Sequence, residues 1–93
     1  MKTIIAIHLN SLDSCVTLTS PADAGDIVSY VESGSKKTVI TNTGIPSWHK
    51  VAISPVQKGG KVYKYGAVIG IALENIAVGD HVHTHNMRSP GIG

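Results

Sequence analysis

The sequence predicts a mainly β fold, a compact domain of bent hairpins with little helix, and three observations carry that prediction. Apolar and polar residues alternate with a period of two along most of the chain, as on strands that bury one face. Glycine interrupts those runs at short intervals, ten times in 93 residues. The apolar residues are Val, Ile, Leu and Ala, with one Trp, three Tyr and no Phe, a composition suited to pleated, half-buried surfaces.

The elements follow in order. Thr3 to Leu9 alternates Ile5, Ile7 and Leu9 against Ile4, Ala6 and His8. Both faces are apolar, which predicts a central strand. Although MKTIIAIHLN has one lysine and an apolar run, that run is shorter than a signal-peptide core, and His8 and Asn10 interrupt it. Cys15 to Thr19 makes a second strand. Asp26 to Val31 and Thr38 to Thr41 form a hairpin across the ESGSKK turn. NTGIPS breaks the pattern, and His49 to Ile53 resumes it. Ala67 to Glu74 is the one stretch able to hold a helical turn, and Gly66 and Gly70 weigh against that.

An internal repeat organises the second half. SPVQKGGKVYKYG (54–66) and ENIAVGDHVHTHN (74–86) superpose at a spacing of 20 residues, with Val56 on Ile76, Gly59 on Gly79, Val62 on Val82 and Tyr65 on His85. A fainter copy, SPADAGDIVSY (20–30), places Ala22, Gly25 and Val28 equivalently. The unit is an apolar anchor, a glycine free to take positive φ, and a strand whose Val points inward.

A chain of 93 residues makes one domain, 1–93, near the small end of the usual range, and a partner subunit or a second copy would add to its stability. Residues 87–93 are expected to form a flexible C-terminal tail. A net charge of +2 is too small to argue for nucleic acid or an anionic membrane, and no run of about 20 apolar residues is present. The single Cys15 has no internal disulfide partner, which fits a reducing, cytoplasmic setting. Its neighbours Val16 and Leu18 make it a strand residue rather than a catalytic thiol.

Three of the five histidines, His81, His83 and His85, fall within five residues. The repeat turns Val82 inward, so alternation places these three on the opposite face. Residues two apart on one face lie roughly 7 Å from each other, close enough for two imidazoles to converge on an ion. Spacing alone leaves open a metal site, a substrate site and a solvated strand face. Asp80, His8 and His49 are the further ligand candidates.

The segments IHLNSLDSCVTL and IPSWHKVAISPVQKGGKVYKYGAVIGIALENIAVGDHVHTHNMR together resemble the small SAF-type (β-clip) domain of the altronate and galactarate dehydratase family, which also includes the small subunit of sulfolactate sulfo-lyase. The most specific pieces are His49-Lys50-Val51-Ala52, Lys64-Tyr65-Gly66, Ile69-Gly70 and Val82-His83-Thr84-His85-Asn86. Two departures stand out: Asp13-Ser14-Cys15 replaces the family's Asp-Asn-Val, and Trp48 stands where a glycine usually precedes His-Lys.

The resemblance implies a metal-dependent hydro-lyase acting on a sugar acid (a hexonate), with iron, or alternatively manganese, as the divalent ion. Dehydration removes a proton α to a carboxylate and expels the β-hydroxyl, and a cation stabilises the resulting enediolate. On that reading His83 and His85 are catalytic or hold the metal. Lys64 and Arg88 hold the substrate carboxylate, Tyr65 and Asn86 bond its hydroxyls, and His49 lies on the substrate. The plain alternatives are exposed strand charges for Lys50 and Lys64 and a frayed end for Arg88. The six acidic residues contain no evident general acid–base pair, so a large catalytic subunit is the implied partner. Two other functions stay open: the sulfo-lyase small subunit, and a non-catalytic sugar-acid-binding module.

Overall fold

The structure, a computed structural model, describes residues 1–90. It is built from strands, with no helix among the described residues. These are β1 (Thr3–Ile7), β2 (Cys15–Leu18), β3 (Ile27–Glu32), β4 (Ser35–Ile40), β5 (Lys50–Ala52), β6 (Lys61–Lys64), β7 (Ala67–Ala72), β8 (His81–Val82) and β9 (Met87–Arg88). Six form a sheet in the order β4-β3-β1-β2-β5-β8, and the other three form a sheet in the order β6-β7-β9. The expected central position of the first strand is observed: β1 pairs parallel with β3 and antiparallel with β2. The stretch from Ala67 is strand, as its glycines indicated. Met87 and Arg88, assigned to a tail by sequence, instead pair with β7, and residues 91–93 of that expected tail lie outside the described residues.

Alternation divides the core in two. Ile4, Ala6, Val16, Leu18, Val28, Tyr30, Val39 and Val51 gather with Ala22 and Ile45 in one cluster. Cys15, Ala52, Val56, Val62, Ala72, Ile76 and Val82 form the second. Because Val16 pairs with Val51 and Cys15 with Ala52, adjacent residues of the same two strands serve opposite cores.

The repeat seen in sequence has four copies among the described residues. Residue pairs Asp23/Asp26, Pro46/His49, Gln57/Gly60 and Ala77/Asp80 each close a four-residue turn, the last N–H donating to the first carbonyl at 3.0, 3.2, 2.7 and 3.0 Å. The third residue of each takes positive φ: Gly25 (90°), Trp48 (66°), Gly59 (84°) and Gly79 (94°), the type II pattern. The four anchors pair as two isolated bridges, Ala22 with Ile45 and Val56 with Ile76. In two copies the aspartate at the fourth position caps the turn from within, Asp26 Oδ2 accepting from Asp23 N and Asp80 Oδ2 from Ala77 N, each at 2.8 Å.

Candidate functional site

The histidines meet at the edge of the larger sheet. His49 ends the second turn and leads into β5, while His81 begins β8. The two strands pair antiparallel, Val51 opposite His81 and Lys50 opposite Val82, so His49 and His81 arrive side by side. His49 Nδ1 lies 2.8 Å from His81 Nε2. The His83 ring stacks on His49 with centroids 4.4 Å apart and is nearly parallel to His81 at 5.5 Å. One ring nitrogen from each of His49, His81 and His83 falls within 4.8 Å of the others, spacing from which three imidazoles can close on one ion.

His85 stands outside that triad. It is exposed, its ring 5.2 Å from His81. Strand alternation ends at Val82, and His83 to Asn86 is a turn, so His83 and His85 are not strand neighbours. The expectation that Val82 points inward is met, for it is 2% exposed.

Asn86, expected to bond substrate hydroxyls, is 4% exposed and turned onto the backbone. Its Oδ1 accepts from His83 N at 3.0 Å and its Nδ2 donates to His81 O at 2.8 Å, while its own N–H donates to His83 O at 3.1 Å. Its side-chain amide thus ties together His81 and His83 on either side of Val82. The preceding turn is clamped too: Asn42 Nδ2 donates to Val78 O and to Asp80 Oδ1. Asp80 is consequently engaged on both carboxylate oxygens.

His81 is held neutral. Burial, then the neighbouring His49, His85 and His83, push its pKa down to about 4. A neutral imidazole is what a divalent ion requires of its ligand.

Lys64 differs most from its expected place. It is fully buried, its Nζ 3.6 Å from Asp13 Oδ2, which is itself fully buried. The ammonium also donates to Ile7 O at 3.4 Å and sits 4.4 Å from the centre of the Tyr65 ring. Asp13 Oδ1 accepts the Gly66 N–H at 2.9 Å. This ion pair fastens the β6–β7 hairpin to the loop after β1, so Lys64 is neither an exposed strand charge nor presented to a ligand. Tyr65 is exposed at the hairpin tip with φ 56°. Arg88 is exposed on β9, its Nη1 donating to Ser89 O at 3.3 Å. His8 packs against Tyr30 and bonds Val31 O through Nδ1. Cys15 is buried, and desolvation raises its thiol to about 11, which suits the strand reading and not a nucleophile.

The carboxylates are likewise committed. Backbone N–H groups of Asp23 and Lys2, helped by the Lys2 ammonium, hold Asp26 down to about 2, and Asp23 meets Lys2 at 3.1 Å. With Asp13 and Asp80 also engaged, four of the six acidic residues serve the fold.

A family model described as the altronate/galactarate dehydratase SAF domain matches residues 4–90. Altronate dehydratase of Escherichia coli (strain K12) is 36% identical over 83 residues, covering 89% of this chain and 16% of that protein. Altronate dehydratase of Bacillus subtilis (strain 168) is 37% identical over 41 residues, 44% of this chain and 8% of that protein. The (2R)-sulfolactate sulfo-lyase subunit alpha of Paracoccus pantotrophus is 44% identical over 45 residues, 48% of this chain and 67% of that subunit. The chain therefore spans only a small part of each altronate dehydratase it matches.

Proposed function

Because the chain belongs to the altronate/galactarate dehydratase SAF-domain family, we propose that it acts as the small subunit of a metal-dependent sugar-acid hydro-lyase, lending a histidine face to a site completed by a large catalytic partner. The observation that carries this reading is the convergence of His49, His81 and His83 within 4.8 Å. Three imidazoles suit a borderline divalent ion such as iron and leave its remaining positions open for a substrate carboxylate or a partner's ligand. When bound, the ion would stabilise the negative charge that develops as the proton α to the carboxylate leaves.

The chain's own residues prepare that event. The β5–β8 pairing brings His49 to His81, Asn86 fixes the turn that carries His83, and burial keeps His81 unprotonated at neutral pH. His85, exposed beside the triad with its ring 5.2 Å from His81, is the imidazole placed to meet a substrate. Arg88 and Tyr65 are exposed groups able to meet a carboxylate or a hydroxyl. Four of the six carboxylates being tied into the fold, the general base for α-proton removal is assigned to the partner. No helix among the described residues is long and apolar enough to cross a membrane, and we place the enzyme in the cytoplasm.

Titration of the purified chain with Co2+, Mn2+ and Fe2+, followed by absorption spectroscopy or calorimetry, tests the site. One ion per chain is expected, with His49→Ala, His81→Ala and His83→Ala each weakening binding sharply and His85→Ala changing it little. Equal binding in all four variants would reject the triad.

The likeness to the sulfo-lyase subunit alpha favours a second reading, in which sulfite rather than water leaves. Reconstitution with the large partner and assay on altronate, galactarate and sulfolactate in parallel decides between them.

A further inference from the structure

Three of the four type II turns place glycine at their positive-φ position, and the fourth places Trp48 there at φ 66°. A bulky L-residue is strained in that region, whereas glycine is not. The backbone at this position has the same task in every copy. Trp48 N donates to Leu18 O at 2.8 Å, as Gly25 N does to Thr41 O, Gly59 N to Ala72 O and Gly79 N to Ala52 O. Glycine would perform that task equally well.

Nor does the side chain recover the strain by packing. Trp48 is 63% exposed, although it is the only tryptophan of the chain and its largest apolar group. A strained backbone that carries an exposed aromatic ring contributes little to the fold, and such strain persists where function holds it. The next residue is His49, whose ring lies at the heart of the triad.

Resting on the sugar-acid reading above, we propose that Trp48 is a specificity-determining residue. Its indole offers the flat apolar surface on which the C–H face of the polyhydroxy acid lies while the acid's polar groups turn to the histidines. The setting favours a small ligand over a protein partner. Pro46 and Ser47 precede the ring in its own turn, and His49 and Lys50 follow it. The other exposed aliphatics come from other elements: Ile5, Ile7 and Val31 from β1 and β3, Ile40 from β4, Leu9, Leu12 and Leu73 from loops, and Val78 from the turn before β8. The side chains that precede and follow the indole in its own turn are thus not the apolar ring that usually surrounds a protein-docking anchor.

As the only tryptophan, Trp48 reports on itself. Sodium D-altronate and D-galactarate are titrated into the full metal-loaded chain, with sodium acetate as control. A saturable change in tryptophan emission is expected with the hexose-derived acids and none with acetate. Trp48→Gly should raise the melting temperature by a few degrees and weaken altronate binding, read by calorimetry, about 2- to 10-fold, with Trp48→Phe restoring most of it. Silent emission with both acids, or unchanged affinity in Trp48→Gly, overturns the proposal. So does a variant that binds altronate normally but no longer assembles with the large subunit, which would make the indole a protein anchor. Metal binding is measured separately: if the triad holds its ion while Trp48 stays silent, only this inference falls.

Discussion

Replacing Lys64 by Met should unfold much of this domain, although a lysine-to-methionine change on a β-strand is ordinarily mild. The reason is the carboxylate left behind. Asp13 is fully buried, and its Oδ2 has no hydrogen-bond donor, only the Lys64 ammonium at 3.6 Å. Removing the cation leaves that charge unpaired in the interior, with the Gly66 N–H on Oδ1 its one remaining donor among the described residues. Loss of one partner from a buried pair costs about 3–5 kcal/mol, against a total stability of roughly 5–14 kcal/mol for a domain of this size. At about 4–8 °C per kcal/mol, the melting temperature should fall by roughly 10–40 °C. Urea unfolding followed by circular dichroism measures the loss. Adding Asp13→Asn in the same chain should return most of it, because the amide oxygen still accepts from Gly66 and the charge is gone. If Lys64→Met costs less than about 1 kcal/mol, or if Asp13→Asn fails to rescue it, the reasoning is wrong and Lys64 is the ligand-facing cation that its sequence context suggested.

Other outcomes follow from the same geometry. Asn86→Ala leaves the part-buried His83 N–H without its side-chain acceptor and frees the turn, so stability should fall by about 1–3 kcal/mol and metal affinity by roughly 10- to 100-fold. Asn86→Asp, which keeps the acceptor, should retain part of both in urea titration and Co2+ binding. In metal-free protein, His81 binds fewer protons folded than unfolded between its folded value of about 4 and the ordinary histidine value of 6.5. Stability should therefore rise with pH across that window and decline as pH falls through it, and His81→Gln should flatten the slope seen in thermal melts from pH 4 to 7. At Gly79 (φ 94°) a Cβ would collide with the Ile40 carbonyl oxygen, so Gly79→Ala should destabilise by more than about 1 kcal/mol and weaken metal binding with it, since His81 follows two residues later.

Much of the architecture was written in local pattern. Two apolar faces marked β1 as central, and glycine spacing exposed three of the four turns. The fourth went unseen because Trp48 occupies the position whose glycine is the signature. Alternation placed Val82 correctly but was carried too far along the chain, since β8 ends there and His83 to Asn86 turn back. That His81 belongs to the triad depends on the β5–β8 register, which joins residues 32 positions apart and leaves no local trace. Lys64 is different, for its burial was legible. Val62 was taken as inward-facing, and Lys64 is two residues on in the same strand. What could not be read was Asp13, the buried counter-charge that makes an inward lysine tolerable.

The place of β1 also sets the order in which the domain can assemble. The first strand of the chain ends with neighbours on both sides, β3 from residues 27–32 and β2 from residues 15–18. During synthesis it must wait, its Ile-rich edges unpaired, until both have emerged. The histidine edge closes later still, when β8 reaches β5 across some thirty residues of intervening chain. So many distant pairings predict folding on the slow side for a domain of this length, in milliseconds to seconds, with the histidine edge formed after the central strands. The waiting strand is also the segment most exposed to wrong pairing with another nascent copy.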